Sequence, residues 1–142
     1  MKKLLMMGTM VSAIALGAIG QKIDAAKVPA AVKSSFEKNY AGNTATWEKE
    51  KGNYEASFKQ DGKSMSVILT PKGTLVESEV SIKADELPAS VLSYMKTHYK
   101  GVTVKEGAKI TKANGTINYE AEVKGKDVVF DANGKFLKEE KD

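Results

Sequence analysis

Val28-Pro29-Ala30-Ala31-Val32-Lys33-Ser34-Ser35-Phe36 and Leu87-Pro88-Ala89-Ser90-Val91-Leu92-Ser93-Tyr94-Met95 are two versions of one segment. Four columns later Tyr40 matches Tyr99, and Gly42 matches Gly101, all at a single offset of 59 (Val28 to Leu87). Agreement resumes with Asn53-Tyr54-Glu55-Ala56 against Asn118-Tyr119-Glu120-Ala121, now offset by 65. It closes with Val67-Ile68-Leu69-Thr70-Pro71-Lys72-Gly73 against Val128-Val129-Phe130-Asp131-Ala132-Asn133-Gly134, offset by 61. Three blocks in the same order, with insertions only between them, define an internal repeat.

Each copy has a readable local structure. Pro29 and Pro88 suit the first turn of a helix, where a missing N–H costs nothing. Val28, Val32, Phe36 and Tyr40 recur four apart, as do Leu87, Val91, Met95 and Tyr99, so each series marks one face of an amphipathic helix. Gly42 and Gly101 lie just past those runs, where helices stop. After them the period changes to two. Tyr54, Ala56 and Phe58 oppose Glu55, Ser57 and Lys59; Ile117, Tyr119, Ala121 and Val123 oppose Asn118, Glu120, Glu122 and Lys124. Half-buried antiparallel strands produce that alternation. Gln60-Asp61-Gly62-Lys63, Pro71-Lys72-Gly73, Lys124-Gly125-Lys126 and Asp131-Ala132-Asn133-Gly134 are the turns between them. An earlier strand is expected over Ala45 to Lys49 in copy one and over Val104 to Thr111 in copy two.

The predicted fold is therefore α+β: two tandem repeats, each a helix plus four strands, at about 27–82 and 86–140. Lys83 to Glu86 forms a short link. A unit of roughly 60 residues buries too little surface to be stable alone. The two copies are expected to share one antiparallel sheet of about eight strands with helices on one face, leaving the other face open.

The N-terminus reads as an address. Lys2 and Lys3 precede an uncharged, mostly apolar run from Leu4 to Ile19, and Ala18-Ile19-Gly20 places small residues where a signal peptidase cuts. A signal peptide over 1–20 is the expectation, with the domain at 21–142. The run is shorter and more diluted by Gly8, Thr9, Ser12 and Gly17 than a spanning helix. The protein is then expected in the periplasm or secreted, soluble once the signal is removed, and monomeric.

Composition narrows the function. The chain of 142 residues has 22 basic side chains, 18 acidic ones and one histidine. All 18 acids lie beyond Gly20 and two lysines before it, so the remainder carries 20 − 18 = +2. Every basic residue is lysine. Nucleic-acid readers favour the planar fork of arginine, so no nucleic-acid partner is expected. With no cysteine the fold rests on its apolar core.

The order Leu-Pro-x-x-Val, a helix ending in tyrosine, Trp47, Tyr54-Glu55-Ala56-x-Phe58 and Val128-Val129-Phe130-Asp131-Ala132-Asn133-Gly134 resembles the PepSY-like, beta-lactamase-inhibitor-like family of small exported bacterial proteins. The likeness covers nearly the whole chain beyond the signal and rests on turns and core positions. It implies a periplasmic or secreted binding or inhibitory module. The inhibitor that lends the fold its name carries disulfides, which this chain lacks, so inhibition of a beta-lactamase is not carried over.

Catalytic and metal chemistry find little support. Zinc sites need several Cys or His ligands, whereas His98 stands alone late on the second helix. No serine sits in an elbow motif beside a base. Asp131-Ala132-Asn133-Gly134 resembles the start of a calcium loop but lacks its remaining ligands; in copy one Thr70-Pro71-Lys72-Gly73 keeps the turn and drops the acid. No cofactor, no metal and no enzymatic activity are expected. Glu120 and Glu122 share one strand face, as paired glycosidase carboxylates do, so a small hydrolase is the alternative. A lysine-rich binder of acidic polymers is another. On the favoured reading Glu55, Lys59, Glu120, Glu122 and Lys124 form a mixed-charge, solvated sheet face that binds a protein partner outside the cytoplasm. Trp47 joins them as a candidate anchor, while Tyr54 and Tyr119 are assigned to the core.

Overall fold

The computed structural model describes residues 20–141. The expected signal peptide therefore lies, apart from Gly20, outside the described residues. Thirteen elements follow one another as two similar halves after a short N-terminal strand. That strand, β1 (Gln21–Ile23), is followed by a 3-10 turn and helix α1 (Ala30–Asn39). Strands β2 (Thr46–Glu50), β3 (Asn53–Gln60), β4 (Lys63–Leu69) and β5 (Leu75–Ile82) complete the first half. A second 3-10 turn, Ala84–Glu86, leads to α2 (Ala89–His98). Strands β6 (Glu106–Lys112), β7 (Ile117–Val123), β8 (Lys126–Asp131) and β9 (Phe136–Lys141) complete the second.

All strands join one sheet in the order β1 to β9, and every neighbouring pair is antiparallel. The halves meet where β5 pairs with β6, from Glu77 opposite Lys112 to Ile82 opposite Gly107. The ninth strand is β1, which pairs with β2 from Gln21 opposite Lys49 to Ile23 opposite Trp47. Three residues are too few for a period-two pattern to register, which is why eight strands are legible and nine are present.

Both helices lie on one side. The row Phe58, Met65, Val80, Lys109, Tyr119, Phe130, Phe136 crosses the sheet through paired positions. Its first members pack with Val32 and Phe36 of α1, and its last with Val91 and Met95 of α2. Phe36 sits at the centre of the first cluster, with ring centroids 5.5 Å from Trp47 and 5.1 Å from Phe58, both edge-on. In the second, Tyr94 lies edge-on to Phe130 at 5.3 Å and stacks on Phe136 at 5.4 Å. Burying each such side chain contributes about 2–3 kcal/mol.

Pro29 and Pro88 stand one position outside the helices, as N-caps with ψ of 143° and 144°. The ring fixes φ without forcing ψ into the helix, and the Pro29 carbonyl accepts from the N–H groups of Val32 and Lys33. Each helix also presses on the last hairpin of its own repeat. Gly73, at φ +85°, lies so close to α1 that a Cβ there would come 2.5 Å from the Ala31 carbonyl oxygen. Gly134, at φ +82°, is equally close to α2, where a Cβ would meet the side chain of Ser90. The C-terminal strand is tied down as well: the Tyr99 hydroxyl donates to Glu139, which also accepts from Lys126 Nζ at 2.9 Å.

Candidate functional site: the helix-free face of the sheet

Among the described residues no helix packs on the second face of the sheet. Strand alternation places on it every side chain that does not point at a helix, and cross-strand pairing sorts those side chains into rows. One row runs Glu48, Glu55, Ile68, Glu77, Lys112. The next runs Ser57, Ser66, Glu79, Ile110, Asn118, Asp131. A third runs Ser81, Ala108, Glu120, Val129, Lys138, and a fourth Glu106, Glu122, Asp127, Glu140. Register shifts beside Ile68 and Val129 break the ladder at β4–β5 and β8–β9; such bulges bend a strand and raise its twist.

The centre of this face is buried and its margins are wet. Glu55, Glu77, Glu79 and Glu120 are only 4%, 4%, 2% and 1% exposed, alongside Ile68, Ile110 and Val129. Glu48, Glu50, Glu106, Glu122, Asp127 and Glu140 are half-buried around them. This corrects the expectation of a solvated mixed-charge surface for Glu55 and Glu120. Alternation tells which face a side chain joins; it carries no information on how much water that face holds.

A buried carboxyl resists ionisation, because its charged form loses hydration. Burial is the main reason the Glu55 carboxyl is pushed up to about 7, with the negative charges of Glu48 and Glu50 adding to it and a hydrogen bond from Ser66 opposing it. Glu79 is raised well above the usual carboxylate range, first by burial and then by Glu120, Glu55, Glu77 and Asp127. Glu77 is raised by burial and partly relieved by Lys112 and Lys138. Neither carboxyl oxygen of Glu79, nor Oε1 of Glu77, has a hydrogen-bond partner among the described residues. Buried polar atoms are normally satisfied, and leaving one unpaired costs about 1–3 kcal/mol.

The remaining candidates scatter. Trp47 is 6% exposed and belongs to the core beside Phe36, so it does not stand on this face as an anchor; its partner Ala56 points at α1 as it does. Lys59 is exposed at the β3 margin of the face, and Lys124 lies in the β7–β8 turn. Tyr54 is buried in the first cluster, and Tyr119 packs against the second. His98 is exposed and stacked on Tyr94 at 4.0 Å. The Asp131 carboxylate accepts from the N–H groups of Asn133 and Lys135, so it serves its own turn. Among the described residues no cluster of acids and histidine is arranged to hold a metal ion, and no helix is long and apolar enough to cross a membrane.

Glu77 and Glu79 were not singled out from the sequence. The signal was present in Val76-Glu77-Ser78-Glu79-Val80, where two acids fall on one side of a strand. Repeat alignment adds that Glu55 and Glu120 are equivalent, as are Glu79 and Glu140.

The family described as "Putative beta-lactamase-inhibitor-like, PepSY-like" matches residues 18–77 and again 70–138. The chain belongs to this family. Solved structures share the fold. One, among the "putative periplasmic proteins" of Bacteroides eggerthii, is 20% identical with a TM-score of 0.73, over 80% of this chain and 88% of that one. Another, a BLIP-like protein from Bacteroides fragilis, is 24% identical with a TM-score of 0.63, over 80% of this chain and 86% of that one. Comparison with curated proteins gives no match. At such identities the PepSY-like chain shares the architecture of these proteins, and function has to be argued from its own face.

Proposed function

We propose that this PepSY-like protein is a non-catalytic module outside the cytoplasm that binds, and thereby restrains, a protein partner through the helix-free face of its sheet. The observation that carries the reading is the set of carboxyls on that face, which burial alone would not favour. Replacing a buried ion-forming group with an apolar one is often neutral or stabilising, so fold stability gives no reason for four glutamates there. Location outside the cytoplasm is supported by the signal-like N-terminus and by the "putative periplasmic" relative of the same fold. The BLIP-like relative favours an inhibitory role over a merely structural one.

A hydrolase using Glu120 with Glu122 is the weaker reading. Raised carboxyls suit acid–base chemistry, yet a cavity on this face, lined by Glu50, Asn53, Glu55 and Ile68 among others but by neither Glu120 nor Glu122, measures about 30 Å³. Ligand pockets run to about 300 Å³ and more. The acidic polymer-binding alternative also weakens, since acids outnumber lysines on the face it would use.

The test is affinity capture from the native envelope and culture medium, comparing wild type with Glu122→Lys and Glu140→Lys. These margin acids are half-buried and can be reversed while circular dichroism verifies the fold. One dominant protein, lost with the reversals, supports the binding module. A captured set that is identical for all three proteins refutes it.

A further inference from the structure

Across the four rows the acids are not scattered. Glu48 and Glu55 lie at the β2–β3 end of the first row, with Glu77 further along it on β5. Glu79 follows in the second row and Glu120 on β7 in the third, while Glu122, Asp127 and Glu140 close the fourth on β7 to β9. They form a diagonal across the face; Lys59, Lys112 and Lys138 lie beside it, Glu106 extends its fourth row, and Asp131, which serves its own turn, lies off it. The diagonal crosses eight strands, from β2 to β9, along a curved path, since Glu77 on β5 feels Lys138 and Glu140 on β9.

We propose that the occupant of this face is an extended, lysine- or arginine-bearing polypeptide segment of the partner protein, its cations spaced along the carboxylate diagonal and its apolar parts over Ile68, Ile110 and Val129. The inference rests on the binding reading above and specifies the partner's chemistry. Charge complementarity is the first argument. The second is Glu79, 2% exposed, set within the diagonal with both oxygens unpartnered; a donor from outside the described fold would satisfy them. A diagonal that crosses eight strands offers a chain several cation positions, whereas a small diffusible amine neutralises only one stretch of it.

Proton exchange accompanies such binding. Glu79 faces Glu55 on β3, Glu77 on its own strand, Glu120 on β7 and Asp127 on β8. On its face β4 presents Ser66 and Ile68, and β6 presents Glu106, Ala108, Ile110 and Lys112. An arriving ammonium or guanidinium group favours the ionised carboxylates, so each cation seated at a protonated carboxyl releases a proton. Affinity therefore rises with pH.

Labelled peptides of about twelve residues alternating lysine with serine, and matched peptides alternating glutamate with serine, provide the probe, read by fluorescence anisotropy on the purified protein. The lysine peptide is expected to bind about tenfold more tightly per pH unit, for each proton displaced, between pH 6 and 8. Glu79→Gln keeps shape and removes the titrating group, and it is expected to weaken binding at pH 8 about tenfold; Glu77→Gln serves as a second variant. Equal binding of the glutamate peptide, a pH-independent affinity, or wild-type affinity in both variants overturns the inference. Displacement of the lysine peptide by spermidine at equal concentration overturns it in favour of a small amine. A captured partner that meets the face through acidic or purely apolar residues would overturn it too, while leaving the binding reading intact.

Discussion

Stability should fall as pH rises from 5 to 8, the reverse of a protein held together by paired carboxylates. In the unfolded chain the Glu55 carboxyl ionises near 4.5, and in the fold near 7. Between those values the folded state holds a proton that the unfolded state has already released. Stability is then fully present below 4.5 and lost progressively toward the folded value. A rise of that size corresponds to about 3 kcal/mol for Glu55 alone. Glu79 is shifted in the same direction by burial and by its acidic neighbours, so the loss continues above the Glu55 window. Against a total of about 5–15 kcal/mol for an ordinary domain, the effect is large. Urea unfolding at pH 5 and pH 8, followed by Trp47 emission, measures it directly. The wild type is expected to be more stable at pH 5 by about 3 kcal/mol or more. Glu79→Gln should flatten the profile and exceed the wild type at pH 8. A wild-type stability that is level or rising across this range, or a Glu79→Gln protein weaker than wild type at pH 8, would refute the account of the buried carboxyls.

Other outcomes follow from the helix-covered side. Gly73→Ala and Gly125→Ala both place a side chain at positive φ (+85° and +77°), but only the first meets backbone, the Ala31 carbonyl. Gly125→Ala should cost about 1 kcal/mol of strain, and Gly73→Ala a further 1–3 kcal/mol or so of overpacking, both measurable by denaturation. Phe36→Ala removes the ring that touches Tyr40, Trp47 and Phe58, and a loss of about 3–5 kcal/mol in urea unfolding is expected. Trp47, being in the core, should emit at short wavelength and resist acrylamide quenching until the protein unfolds; long-wavelength emission in the native state would contradict its placement.

Much of the fold was legible because its devices are local and occur twice. Val32 and Val91, Phe36 and Met95, Gly73 and Gly134 repeat the same steric roles at matching offsets, and a period of four or two survives small insertions. The depth of the second face was not legible in the same way. Glu55 and Lys59 are both charged, both on β3 and both alternate outward, yet Glu55 is flanked by Glu48 of β2 and Ile68 of β4 while Lys59, beyond the end of β2, pairs only with Ser64 of β4. Burial on a sheet face depends on how many strands flank a position and how far the sheet twists, which are sums over the whole chain. Trp47 illustrates the converse: a lone tryptophan reads equally as anchor or core until its strand partner, Ala56, is known to point at α1.

The repeat also explains why the face has a direction. Equivalent positions Glu55 and Glu120 are buried acids in both halves, and Glu79 corresponds to Glu140, so the carboxylate diagonal is largely a duplicated feature. The equivalence breaks at Glu77, whose counterpart is Lys138. That lysine lies 2.5 Å from Glu140 and, together with Lys112 opposite Glu77, also relieves the Glu77 carboxyl of the first half. An occupant lying along the diagonal would meet the buried carboxyls of Glu55 and Glu79 toward one end and the Lys138–Glu140 pair at the other. Two halves that build the helix-covered core identically thus differ where a partner would sit. Duplication secures the fold, and divergence on the helix-free face gives a linear segment a preferred orientation.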